Sequence, residues 1–154
     1  MRRPGYELPL LLAAAFRELI DSLHAELSKH GHGEARPIHG FALQAIGPDG
    51  ATVSELGRRL GVSKQAAAKT AAGLEKLGYI ARQPSALDAR ATVLTRTARG
   101  SEMLERSAVI FEQLRRDWVH RLGAEEVSAI EDGLAAIVTS SGGTKIGDLP
   151  GWLR

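Results

Sequence analysis

Lys64, Gln65 and Lys69 are long hydrogen-bond donors set among small residues in the stretch VSKQAAAKTAAGLEKLG, Val62 to Gly78. An ammonium group reaches phosphate oxygens, and a glutamine amide both donates and accepts, as the edge of an adenine requires. The alanines beside them, Ala68 and Ala72, keep that side of a helix low, so its backbone can approach a groove and its methyls can meet a thymine methyl. On the opposite side Ala67, Thr70 or Ala71, Leu74 and Leu77 recur at helical spacing and point inward. Ser63 is a natural N-cap. A solvated alanine-rich helix would have the same pattern, so the surrounding sequence must decide.

The 154-residue chain has a formal net charge of only +2, but the charge is unevenly placed. Between Ala51 and Gly100 nine Lys and Arg face three acids, a net of +6, which leaves −4 for the rest. A basic middle third between acidic flanks suits contact with a polyanion and a different task for the flanks. The composition, 44% hydrophobic and 25% charged, is that of one ordinary globular domain. With no cysteine, disulfides, thiolate metal sites and thiol redox chemistry are excluded. There is no Walker A loop, G-x-S-x-G elbow, H-E-x-x-H pair or carboxylate pair beside a histidine, so no enzyme is expected.

The donors need elements to aim them. Arg2 and Arg3 before the apolar run Leu8 to Phe16 imitate a short export signal, but the pattern continues as Leu19, Ile20, Leu23 and Leu27 with charged residues between. This is an amphipathic helix over about 8–29, and no apolar run is long enough to span a membrane. A cytoplasmic protein is expected. A second helix follows Pro37 and ends at GPDG; a third opens with the capping box of Thr52 and Glu55 and buries Val53, Leu56 and Leu60. Gly61 and Val62 turn the chain into the helix of Lys64 and Gln65. Two short strands follow, about 79–83 and 91–95, joined by a loop with Pro84, Asp88 and Arg90. Helix, turn, helix and hairpin together make a winged helix-turn-helix, whose wing arginine would lie along a duplex backbone or enter the minor groove.

This order resembles the MarR family of transcriptional regulators over most of the chain. The resemblance is carried by SELGRRLGVS, by LEKLGYIAR, by the D-x-R of Asp88 and Arg90, and by the T-x-x-G of Thr97 to Gly100. It implies a mainly α fold with a small β-hairpin wing and a single domain over 1–154. Within it, 36–99 would form the DNA-binding lobe, 8–30 and 100–139 the dimerisation helices, and 140–154 a mobile Gly-rich tail in which Trp152 docks on the partner or hangs loose. It further implies that Asp88 braces the wing, that Arg90 contacts DNA, and that Lys64, Gln65, Ala68 and Lys69 face the groove, with Ser63 and Arg82 beside them. Three departures stand out: Ala89 where a second wing arginine is common, Arg96 at a usually apolar position, and Ala67 and Ala71 where larger apolar groups are frequent.

After Gly100 a stripe of Leu104, Phe111, Leu114, Trp118 and Leu122 marks a helix of roughly twenty residues, and Val127, Ile130, Leu134 and Ile137 or Val138 mark a last one. The resemblance implies that these helices and the first interdigitate in a homodimer through Leu12, Phe16, Leu19, Phe111, Trp118 and Leu134. The partner is then double-stranded DNA with a pseudo-palindromic operator, bound by a repressor that a small-molecule effector releases. No cofactor is expected. The alternative reading is a zinc-type metal-responsive regulator, because His30, His32, Glu34 and His39 lie close together in sequence at the first helix junction.

Overall fold

The structure is a computed structural model and describes residues 2–140. Six helices and one hairpin follow each other as α1 (Glu7–Ser28), α2 (Pro37–Ile46), α3 (Val53–Leu60), α4 (Lys64–Lys76), β1 (Ile80–Pro84), β2 (Thr92–Arg96), α5 (Ala98–Leu122) and α6 (Ala124–Ser140). The tail from residue 141, including Trp152, lies outside the described residues.

The core sits under the helix-turn-helix. Leu43 and Ile46 of α2, Leu56 and Leu60 of α3, and Ala67, Ala71 and Leu74 of α4 meet Leu23 and Leu27 from the end of α1 and Met103 from the start of α5. Each fully buried leucine or isoleucine contributes about 1.5–3 kcal/mol of transfer free energy. The small Ala67 and Ala71 are fully buried. They allow close helix contact: a Cβ on Gly57 of α3 would lie 3.5 Å from the Ala67 methyl. The alanine-rich inner face of α4 is thus a packing solution.

Helix ends follow the side chains that bind them. The Thr52 hydroxyl accepts from the Glu55 amide at 3.1 Å, and the Ser63 hydroxyl accepts from the Ala66 amide at 3.1 Å. Gly61 adopts φ +70°, the left-handed conformation that lets α3 stop and α4 leave at an angle. α4 ends with Gly78 donating to Glu75 O and Tyr79 donating to Leu74 O. Because the Tyr79 amide is held by the helix, β1 begins one residue later than the expected 79, at Ile80. The strands pair antiparallel with Ile80 opposite Arg96 and Pro84 opposite Thr92.

The T-x-x-G motif has a physical reading. Thr97 Oγ1 accepts from the Gly100 amide at 3.1 Å, so α5 starts at Ala98, ahead of the expected position after Gly100. Gly100 lies so close to the backbone of Tyr79 that a Cβ there would meet the Tyr79 carbonyl oxygen at 2.2 Å. The buried side of α5 carries Gly100, Met103 and Ser107, a face the leucine stripe did not reveal.

Along the rest of α5 and the flanking helices, apolar side chains remain at the surface. Leu12 is 42%, Phe111 40% and Leu134 43% exposed, with Leu8 and Leu10 at 63%. Phe16, Leu19 and Trp118 are half-buried. Arg115 of α5 binds Glu131 of α6 through two bonds of 2.6 and 3.0 Å, and Arg121 binds Glu18 of α1 at 3.2 Å. Among the described residues no helix is long and apolar enough to cross a membrane.

Candidate nucleic-acid interface

The outer face of α4 is open along its length. Ser63, Lys64, Gln65, Ala68, Lys69 and Ala72 are all exposed, while Ala67, Ala71 and Leu74 are buried behind them. The division follows from helical period: one row faces the core and the other, about half a turn round, faces solvent. The Ser63 hydroxyl accepts from a backbone amide as a cap, which leaves its own hydrogen available to a phosphate. Neither Lys64 nor Lys69 has an ion-pair partner among the described residues, and the same holds for Arg58 and Lys76.

The wing is braced from within. Asp88 Oδ1 accepts from the Arg90 amide at 3.0 Å, and the Asp88 carbonyl accepts from the Ala91 amide at 3.0 Å. The Ser85 hydroxyl accepts from the Leu87 amide at 3.2 Å, and the Ser85 amide donates to the Ala91 carbonyl at 2.9 Å. Arg90 projects from this turn with its side chain 97% exposed, its Nε 3.9 Å from Asp88 Oδ1. Ala51 pairs with Leu94 through two backbone bonds, 3.0 and 2.7 Å, which fasten the hairpin to the loop before α3.

Not every basic residue of the middle third is free to meet an anion. Arg82 Nε donates to Glu75 at 3.1 Å, which ties β1 back to α4. Arg59 reaches the carbonyls of Ala45 and Ile46 at 2.8 and 3.2 Å, and Arg96 reaches those of Leu43 and Gln44 at 2.8 and 3.5 Å. Two guanidinium groups therefore cap the C-terminus of α2, where unpaired carbonyls attract cations. Arg99 donates to Leu77 O at 3.1 Å and Gly31 O at 3.0 Å and lies 4.8 Å from the Tyr79 ring centre. These three arginines join elements distant in sequence, so no local pattern could announce them.

The histidines do not converge. His32 is buried; its Nδ1 shares a 2.8 Å hydrogen bond with the Tyr79 hydroxyl and its Nε2 pairs with Glu102, which Arg106 also binds. His39 Nδ1 accepts from the Arg36 amide at 2.9 Å and so completes the start of α2. His30 and Glu34 are exposed on the loop. Among the described residues no three His, Asp or Glu side chains are gathered as a metal ion requires. Burial pushes the pKa of His39 below the ordinary histidine value, with Arg36 adding to the effect. Burial does the same to His24, against the opposing pull of Asp21.

Residues 37–91, from the first residue of α2 into the wing, match the model of the MarR family. This lobe is similar to the MarR family. No curated protein matches the chain. Among solved structures, a transcriptional regulator from Thermotoga maritima is 26% identical, with 86% of this chain and 92% of that one covered and a TM-score of 0.60. The apo form of wild-type MarR from E. coli is 21% identical, covering 90% of this chain and 99% of that one, with a TM-score of 0.66. MepR of Staphylococcus aureus, solved as a DNA complex, is 20% identical, covering 86% and 97%, with a TM-score of 0.66. The MarR-like fold thus extends from the matched lobe to the terminal helices. The chain is thus similar to MarR-family transcriptional regulators in its matched lobe and in its overall fold.

Proposed function

We propose that the chain is a homodimeric, sequence-specific binder of double-stranded DNA that represses transcription and is released by a small-molecule effector. The observation that carries the reading is the outward row of Ser63, Lys64, Gln65, Ala68 and Lys69 on α4, open to solvent beside a braced and exposed Arg90. The α4 row enters the major groove, where Gln65 reads a base edge and Lys64 and Lys69 hold phosphates. Arg90 tracks the adjoining minor groove, and Asp88 fixes the turn that carries it. Arg82 has a lesser part, since it is held by Glu75. That MepR of S. aureus has been solved as a DNA complex supports the assignment.

The apolar faces of α1, α5 and α6, with Leu12, Phe111 and Leu134 exposed on a single chain, are covered by a second copy. A two-fold pair sets two α4 helices into successive major grooves about 34 Å apart, which matches a pseudo-palindrome. The effector lodges in the cleft between α1, α2 and α5, at the junction of the two lobes. Selection of bound duplexes from a random pool tests the whole reading: enrichment of one inverted repeat is expected, and a pool with no enriched motif would overturn it.

A further inference from the structure

Leu87 is 99% exposed, more than any other large hydrophobic side chain among the described residues. The remaining exposed ones lie in α1, α5 and α6 or, for Tyr6, just ahead of α1. Those are the faces assigned to the second copy. Leu87 stands instead in the loop between β1 and β2, at the tip of the wing, and a pairing through the terminal helices leaves it outside the interface.

The tip holds this side chain up. The Ser85 amide donates to the Ala91 carbonyl and closes the loop at its base. Inside it the Leu87 amide donates to the Ser85 hydroxyl at 3.2 Å, and Asp88 accepts from the Arg90 amide, so the backbone is tied on both sides of Leu87. Ala86 and Ala89 carry only methyl groups, and Leu87 rises above them. Ala89, where a second wing arginine is common, leaves the tip with one apolar projection and one cation. Three residues of chain reach at most about 11 Å, so Leu87 meets a duplex within about three base steps of Arg90.

A leucine as exposed in the folded chain as in the unfolded one gives the fold nothing, and its burial is available only to a partner. With Arg90 on the minor groove, the partner at hand is a base step. Apolar side chains of this size enter such steps from the minor groove, unstack them and kink the duplex. Burial of the leucine offsets the unstacking best at pyrimidine–purine steps, which open most easily.

We infer that Leu87 is a wedge that enters one base step of each half-site, kinks the duplex there and so selects a TA or CA/TG step that no polar group reads. The inference rests on the reading of the chain as a duplex-binding regulator and deepens it, giving the wing a part in sequence choice.

The test uses the full chain and the operator obtained by duplex selection, with 2-aminopurine replacing each adenine under the wing in turn. Stacking quenches this base, so its emission reports unstacking. With the wild type, emission is expected to rise at one step of each half-site. Leu87→Ser should abolish the rise and lower affinity about tenfold. Selection repeated with Leu87→Ser should lose the pyrimidine–purine step and keep the positions read by α4, which also shows that the variant is folded. Leu87→Met, apolar and of similar reach, should restore the rise. No rise at any position, an equal rise with Leu87→Ser, or an enriched operator without a pyrimidine–purine step under the wing would overturn the wedge and leave the regulator standing. A pool with no enriched motif would remove both.

Discussion

Asp88 holds the backbone of Arg90: its Oδ1 lies 3.0 Å from the Arg90 amide nitrogen and 3.9 Å from the Arg90 Nε. The carboxylate grips the main chain more closely than it grips the guanidinium, so its chief effect is to shape the turn. Arg90→Ala is expected to weaken operator binding and to flatten its salt dependence by about one unit of slope per lost phosphate contact. Asp88→Ala should weaken binding less, and Asp88→Asn least, because an amide oxygen can still accept from the Arg90 amide. Fluorescence anisotropy against salt ranks the three; full affinity in Arg90→Ala would remove the wing from the interface.

Gln65 and the two lysines should fail in different ways. Loss of Gln65 removes an amide that can bind one base bidentately, at a cost of about 1–3 kcal/mol confined to that position of the operator. Lys64→Ala and Lys69→Ala should lower affinity for all duplexes together. Repeating the duplex selection with each variant separates them, and an unchanged motif for Gln65→Ala would mean that another residue reads the bases.

Arg96 stands at a position where an apolar residue was the expectation, and the structure supplies the reason in its 2.8 Å bond to Leu43 O at the end of α2. Arg96→Leu therefore removes a charged cap while adding apolar volume. A net loss of about 1–2 kcal/mol in urea unfolding is expected, since a hydrogen bond from a charged donor outweighs the gain. A variant as stable as the wild type would show that Arg59 alone suffices to hold that terminus.

Stability should fall with pH below about 6.5, for a reason that can be traced to two rings. His24 and His39 are both depressed below 6.5 by burial. The unfolded chain therefore takes up their protons first, so stability is full above 6.5 and is lost as pH falls toward the folded values. Protonation also puts a hydrogen on His39 Nδ1, which now accepts from the Arg36 amide, and the start of α2 loses that cap. Thermal melts between pH 7.5 and 5 should show the decline, with a shallower slope in His39→Asn. Glu102 and Glu131 are shifted below 4.5 by their arginine partners and so act only at lower pH. A flat profile from 7.5 to 5 would contradict the role of both rings.

Charged residues at Leu12 and Phe16 should disrupt fold and dimer together. In intertwined helices the free subunit loses the surface that its partner covers, and the two equilibria become one. Light scattering should find a dimer for the wild type at micromolar concentration and an unfolded or aggregated chain for the double variant. A well-folded wild-type monomer that binds a full palindrome as a single copy would leave the terminal helices with some other task.

The lobe that turned out to match the family was also the most legible part of the sequence, because its signals are local. Thr52 and Ser63 mark helix starts within three residues of the amides they bind, and Ala67, Ala71 and Leu74 repeat at a fixed period. What the sequence hid were contacts between distant segments. His32 reads as a metal ligand from its neighbours in the chain, yet its partners are Tyr79 and Glu102, 47 and 70 residues on. The basic surplus of the middle third reads as one surface, although Arg59, Arg96 and Arg99 turn inward to backbone carbonyls. A guanidinium that binds a carbonyl leaves the same letter in the sequence as one that meets a phosphate, and only the fold tells them apart.

Gly100, pressed against the Tyr79 backbone, sets the foot of α5 on the joint between α4 and the wing. From there the helix runs unbroken for 25 residues, a rod of about 37 Å at 1.5 Å per residue. Its stretch from Leu104 through Ser107 to Phe111, which reaches the midpoint of the helix, forms a wall of the cleft. A rigid rod touched near its middle and seated at one end is a lever: a tilt of about 5° over that length carries its far end by about 3 Å. The methyl-free surface of one glycine is the bearing on which that lever would turn, and any side chain added there would lift the rod from its seat.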